Sequence, residues 1–149
     1  IETAPFPGFP TDLQAPFTTL MTIANGESKI TETIFENRMN HIYLLNEMGA
    51  RIKLNKNVAH IKGVKTINGM NLVGSDLRSS AALIIAGIIA KGSSKIYGLE
   101  HLDRGYENFE LKLKKLGIKI TREVSKSTFE KNEYKIKTKS EKLSKLEAA

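Results

Sequence analysis

The sequence contains no cysteine, which excludes a disulfide framework, a thiolate nucleophile and any Cys-containing metal site within these residues. Long apolar runs are also missing. The longest, Ala81 to Ala90, is half of the roughly 20 residues needed to span a bilayer. The N-terminus lacks a charged-then-apolar signal pattern, so the chain is expected to be cytoplasmic and to have no membrane partner. No glycine-rich phosphate loop occurs, since Gly105 follows Arg104 without the strand-glycine pattern such a loop needs. The histidines His41, His60 and His101 have no metal-ligand spacing among themselves or with carboxylates, so packing or surface roles are expected, with no metal and no cofactor. A basic stripe interleaved with aromatics is lacking too. Of the net charge of +7, seven lysines against four glutamates place +3 between Lys126 and Ala149. The interspersed glutamates argue for a solvated tail rather than a nucleic-acid arm.

What remains is ordinary globular composition, 40% hydrophobic and 26% charged over 149 residues, enough for one domain with a real core. The chain opens on a proline-punctuated stretch, Ala4-Pro5-Phe6-Pro7-Gly8-Phe9-Pro10, that cannot be helical. Thr11-Asp12-Leu13-Gln14 then has the spacing of a capping box, predicting a helix to about Ala24. An internal repeat appears when this segment is laid over Ser75-Asp76-Leu77-Arg78. Each copy starts with Ser/Thr-Asp-Leu and runs through a helix to glycine (Gly26, Gly92) and Ser-Lys-Ile (Ser28 to Ile30, Ser94 to Ile96). An arginine follows (Arg38, Arg104), then a second helix ending at Gly49 or Gly117, then a basic-apolar strand (Arg51-Ile52, Lys119-Ile120). Extra strands are predicted around Val58 to Ile61 and Met70 to Val73.

The expected class is therefore α/β, with repeats at about 11–55 and 75–122 inside a partial domain, 1–124, and a flexible Lys-rich tail, 125–149. Strands such as Arg51-Ile52-Lys53-Leu54 alternate in polarity and predict one wet face. Leu83-Ile84-Ile85-Ala86-Gly87-Ile88-Ile89 predicts a helix buried all round. Helices inside and sheets outside is the layering implied.

Two residue pairs carry the chemistry. Asp12 and Asp76 lie at helix starts, with Thr11 and Ser75 as the expected caps, so each carboxylate is free to project from a positive helix end. Helix capping, hydroxyl acceptance and general-base action all stay open, because the dipole that ionises the group also weakens it as a base. Arg38 and Arg104 occupy equivalent loops, and Arg78 follows Asp76 directly; guanidinium forks suit phosphate or carboxylate.

The segments Thr3 to Gln14, Thr31 to Arg38, Ser75 to Ala82 and His101 to Glu107 together resemble the enolpyruvyl transferases. They resemble above all the branch acting on UDP-N-acetylglucosamine, over about Ile1 to Arg122. The resemblance implies transfer of the enolpyruvyl group of phosphoenolpyruvate to the sugar 3′-hydroxyl with release of phosphate, the first committed step of peptidoglycan synthesis. It implies an inside-out α/β barrel of three repeats per domain, two of them here, with buried helices aimed at an interdomain cleft. By motif, Asp12 is implied at the 3′-hydroxyl as base, with Ile34 and Arg38 along the UDP-sugar. Asp76 and Leu77 fall beside the reacting carbon. Arg78 and Arg104 are implied to hold the phosphoenolpyruvate carboxylate or phosphate.

The family's Lys-Asn pair, its proton-donor loop and a further arginine lie outside these residues. A missing N-terminal domain, in the same or another chain, is therefore the expected partner, and the chain alone is expected to be inactive. The sister enzyme acting on shikimate 3-phosphate is disfavoured by Phe35-Glu36-Asn37-Arg38 and Leu102 to Glu107. A non-catalytic UDP-sugar-binding half-enzyme is the alternative.

Overall fold

A computed structural model describes residues 1–123 and 133–137. A 3-10 turn, Thr11–Leu13, leads into α1 (Gln14–Met21), followed by β1 (Glu27–Thr31), α2 (His41–Glu47), β2 (Arg51–Asn55) and β3 (Val58–Lys62). The second half holds β4 (Asn71–Val73), α3 (Leu77–Ile89), β5 (Ser93–Tyr97), α4 (Leu99–Asp103), α5 (Phe109–Lys115), β6 (Ile120–Glu123) and β7 (Glu133–Lys137).

The repeat is legible in the pairing. One sheet has the order β1-β3-β2 and the other β4-β5-β7-β6, and β3 and β7 each run antiparallel to both neighbours. Registers match: Ile30 faces Ala59 and Ile52 faces Ile61 in the first sheet, as Ile96 faces Tyr134 and Ile120 faces Ile136 in the second. Even the parallel addition recurs. Glu2 bridges Thr31 where Val73 pairs with Tyr97.

That correspondence corrects the domain boundary drawn at 124. The expected flexible tail contains β7, whose Tyr134 and Ile136 are 0% and 1% exposed. The alternation Tyr134-Lys135-Ile136-Lys137 is the strand period, the counterpart of Ala59-His60-Ile61-Lys62 in β3, and lysines on the wet face disguise it as tail. The remainder of the expected tail lies outside the described residues.

The helices pack as their polarity dictates. In α3, Ser79 to Ile84, Ala86 and Gly87 are buried, and the helix lies against α1, α2, α4 and β5. Small residues on α1 and α3 allow close approach, near enough for the Thr19 hydroxyl to donate to the Ala82 carbonyl at 3.4 Å. The apolar faces of both sheets join one core with α2, α3 and α4; in β2 only Ile52 is buried, and Leu54, expected on the same face, is exposed with Arg51, Lys53 and Asn55.

Two local expectations fail. The capping box does not form: the N-cap is Pro10, the Thr11 hydroxyl donates to Glu32, and buried Gln14 donates to Thr18. The Thr11 oxygen, which a capping box would offer to a backbone N–H, accepts instead from the charged Arg38 Nη1 at 3.1 Å, a stronger donor than a neutral amide. Nor does Ser75 cap α3. Asp76 itself is the N-cap, its Oδ1 accepting from the N–H groups of Arg78 and Ser79, both at 2.9 Å.

Candidate functional site

The turn before α1, the loop between β1 and α2, and the start of α3 meet at one end of the molecule. Asp12 is the point of contact. Its Oδ1 accepts from Arg38 Nη1 at 3.1 Å and from Arg78 Nε at 2.9 Å, and its Oδ2 pairs with Arg78 Nη2 at 2.6 Å. The Asp12–Arg78 pair is thus bidentate, the geometry in which a guanidinium binds a carboxylate most specifically. The hydrogen bond from Arg78 is foremost in holding the Asp12 carboxyl below its ordinary range, with Arg38 adding to it against partial desolvation. Arg78 is correspondingly pushed up by Asp12. The Asp12 side chain is still 55% exposed, so an incoming ligand can reach it.

Arg38 is fixed on three sides. Besides Asp12 it donates to Thr11 Oγ1 at 3.1 Å, and its guanidinium carbon lies 3.9 Å from the Phe35 ring centroid, a cation–π distance. Ile34, Phe35, Glu36, Asn37, Arg38, Asn40, Ser75 and Asp76 line an open groove of about 730 Å³. Asp12, Ile34, Arg38, Asp76, Leu77 and Arg78 are therefore brought to one region. Asp76 spends Oδ1 on capping, while its Oδ2 accepts from the Ser75 hydroxyl at 3.2 Å.

Arg104 stands apart. It is the C-cap of α4, its backbone N–H donating to the Leu102 carbonyl; it is exposed, and its side chain makes no ion pair or hydrogen bond among the described residues. Its loop is nonetheless tied to the site, because Gly105 abuts Leu77. A Cβ at 105 would fall 2.6 Å from Leu77 Cδ2.

His41 is a packing residue, as expected, but an unusual one. It is 1% exposed, its Nε2 has no hydrogen-bond partner among the described residues, and burial pushes its pKa down to about 4 against raising influences from Asp76 and the Arg38 backbone. Among the described residues no group of three or more His, Asp or Glu side chains could hold a metal ion, and no helix is long and apolar enough to cross a membrane.

Sequence reasoning missed Glu32, Thr11 as more than a cap, and Phe35. Glu32 is a buried carboxylate at the end of β1, and a charged residue directly after an alternating strand carries no local sign that it is buried.

The arrangement is a cationic pair restrained by one carboxylate at the edge of an open groove. Such a pair can receive a phosphate or carboxylate ligand, and the release of Asp12 would then provide an acceptor for a hydroxyl. Comparison with known proteins identifies the family. Residues 1–113 match the family model for EPSP synthase (3-phosphoshikimate 1-carboxyvinyltransferase). The whole chain is 91% identical to a UDP-N-acetylglucosamine 1-carboxyvinyltransferase of Prochlorococcus marinus (strain AS9601), covering 33% of that protein. It is 55% identical over 82% of its length to the protein of the same name from Synechocystis sp., covering 28% of it. The chain thus spans about a third of the length of the curated relatives it matches. Among solved structures, the enolpyruvyl transferase NikO from Streptomyces tendae superposes with a TM-score of 0.71 at 24% identity, over 92% of this chain and 29% of that one. An EPSP synthase from Acinetobacter baumannii gives 0.62 at 14% identity, over 87% and 29%. At those identities the structures speak for the fold.

Proposed function

The chain belongs to the EPSP synthase family of enolpyruvyl transferases, and from that premise we propose that it forms one wall of a site joining phosphoenolpyruvate to the 3′-hydroxyl of UDP-N-acetylglucosamine. The observation that carries the reading is Asp12 held between Arg38 and Arg78. Both proposed substrates are polyanions, and they compete for the same guanidinium N–H groups that Asp12 now occupies. As the UDP-sugar phosphates draw the Arg38 N–H away from Asp12 and phosphoenolpyruvate does the same to Arg78, Asp12 loses the two interactions that depress its pKa. It becomes a better base at the moment a hydroxyl arrives. The hydroxyl oxygen then bonds to C2 of phosphoenolpyruvate as its proton passes to Asp12 and C3 takes a proton from a donor outside these residues; in the later elimination C3 gives up a proton, the double bond re-forms and the C–O bond to phosphate breaks. Arg78, with Arg104 carried in on the Gly105 loop, balances the charge of the intermediate.

In this reading the two units are two of three repeats of an inside-out barrel domain, and the reaction serves peptidoglycan and hence cell-wall synthesis in the cytoplasm. The proton donor and the opposing wall are supplied by sequence outside these residues, so the isolated chain is inactive. The test is a chimera in which this chain replaces the matching third of the Prochlorococcus relative. Phosphate release that requires both UDP-N-acetylglucosamine and phosphoenolpyruvate is expected. Absence of turnover, or preference for shikimate 3-phosphate, would refute the reading. Turnover by the purified 149-residue chain alone would refute its dependence on a second wall. Saturable binding of UDP-N-acetylglucosamine by that chain without turnover would favour the half-enzyme alternative.

A further inference from the structure

Glu32 follows the last residue of β1 and is 1% exposed, yet no cation pairs with it among the described residues. Its carboxylate instead accepts four hydrogen bonds. Oε1 takes three, from the Thr3 hydroxyl at 2.9 Å, the Ile34 N–H at 2.8 Å and the Phe35 N–H at 3.1 Å. Oε2 takes one, from the Thr11 hydroxyl at 2.8 Å. These bonds outweigh the desolvation that would raise its pKa, and the net displacement is downward. The group is buried and ionised.

A neutral amide oxygen could accept the three bonds at Oε1 equally well. The charge is required on the other side. A threonine hydroxyl has one proton and two lone pairs, and giving the proton to Oε2 turns a lone pair toward Arg38 Nη1 at 3.1 Å. An amide NH₂ at the Oε2 position would donate to Thr11 and reverse that polarity. The order Arg38 to Thr11 to Glu32 is a directed relay, and the buried negative charge at its end adds attraction for the guanidinium.

We propose that Glu32 is a positioning residue: acting through the Thr11 hydroxyl, it holds Arg38 in the orientation that receives the phosphates of the nucleotide-sugar substrate. Neither Glu32 nor Thr11 touches substrate in this scheme. The assignment rests on the function proposed above, so its test has one arm that needs activity and one that does not.

In the first arm the chimera carries Glu32→Gln, Thr11→Val, both together, or Thr11→Ser. Glu32→Gln is expected to raise KM for UDP-N-acetylglucosamine about tenfold, the worth of one hydrogen bond to a charged group. KM for phosphoenolpyruvate and kcat should stay within about twofold of the parent, since Arg78 keeps its own pairing. Thr11→Val should behave alike, the double variant no worse than either, and Thr11→Ser should restore the low KM that Thr11→Val loses. In the second arm, ¹⁵N spectra of the 149-residue chain follow the Arg38 guanidinium, expected to rotate slowly in the parent and freely in Glu32→Gln. Parental KM in Glu32→Gln, additive effects in the double variant, or a uniform fall in kcat and both affinities with a lowered Tm would overturn the proposal. An inactive parental chimera would reject the functional reading alone. The Arg38 spectrum would then decide, slow rotation persisting in Glu32→Gln overturning the positioning role and free rotation supporting it.

Discussion

Acidification should destabilise this fold through His41 before it reaches the carboxylates. His41 opens α2 beside the Arg38 loop, is 1% exposed, and has a pKa displaced from 6.5 to about 4 by burial. The unfolded chain therefore takes up this proton at a higher pH than the folded one. The stability contributed by keeping the imidazole neutral is whole above pH 6.5. It falls as the pH drops toward 4, and below that the folded state protonates too. The gap between 6.5 and about 4, at roughly 1.4 kcal/mol per pH unit, amounts to about 3 kcal/mol. Against a typical stability of about 5–15 kcal/mol, that is a large share. The groups that moderate it are Asp76 and the backbone of Arg38, both of which favour the charged form. Asp12 and Glu32 are held below ordinary carboxylate values of 3.8 and 4.5, so their contributions begin to fall only near those values, at the acid end of the interval, and they are common to the parent and the His41 variant. The assay is urea unfolding at pH steps from 7.5 to 4 for the parent and His41→Gln, whose amide does not titrate. The parent should lose about 3 kcal/mol more than the variant across that interval. Parallel pH profiles for the two proteins would refute the reasoning.

Other consequences follow from the same geometry. Asp12→Asn should change stability by less than ~1 kcal/mol, because the carboxylate is half exposed, yet it should strengthen inorganic phosphate binding several-fold by freeing both arginines while abolishing turnover in the chimera. Calorimetry and a phosphate-release assay read the two opposite effects. Tyr134→Ala should cost roughly 3–5 kcal/mol by opening a cavity under β7. Tyr134→Phe, which loses only the 2.6 Å bond to Glu110, should cost about 1 kcal/mol in chemical denaturation. If instead Tyr134→Ala leaves the unfolding midpoint unchanged, β7 is not part of the folded unit. Gly105→Ala should raise KM for phosphoenolpyruvate more than KM for the nucleotide-sugar, since the new methyl displaces Leu77 or the Arg104 loop; equal changes in both would argue against a local effect.

Much of the candidate site was legible because its residues sit where the chain announces them. The Ser/Thr-Asp-Leu starts located Asp12 and Asp76, and the repeat placed Arg38 and Arg104 in step. The roles within that group were less so. Capping of α3 fell to Asp76 and not Ser75 because the longer carboxylate reaches two backbone N–H groups at once. The oxygen that Thr11 was expected to offer to its own helix accepts from Arg38, 27 residues away.

Local periodicity and repeat spacing, which depend only on neighbours along the chain, determined the α/β class, the buried α3, β1 to β3 and four of the residues gathered at one end, Asp12, Arg38, Asp76 and Arg78; Ile34 and Leu77 came only from the family resemblance. Tertiary structure alone decided the rest. It made Glu32 a buried hub, set Asp12 between two arginines, and drew the lysine-bearing segment Glu133–Lys137 into the middle of a sheet. Each of these depends on which distant donor or strand a group meets, and the free energy of burying a charge or a tyrosine is settled by that partner rather than by the residues beside it.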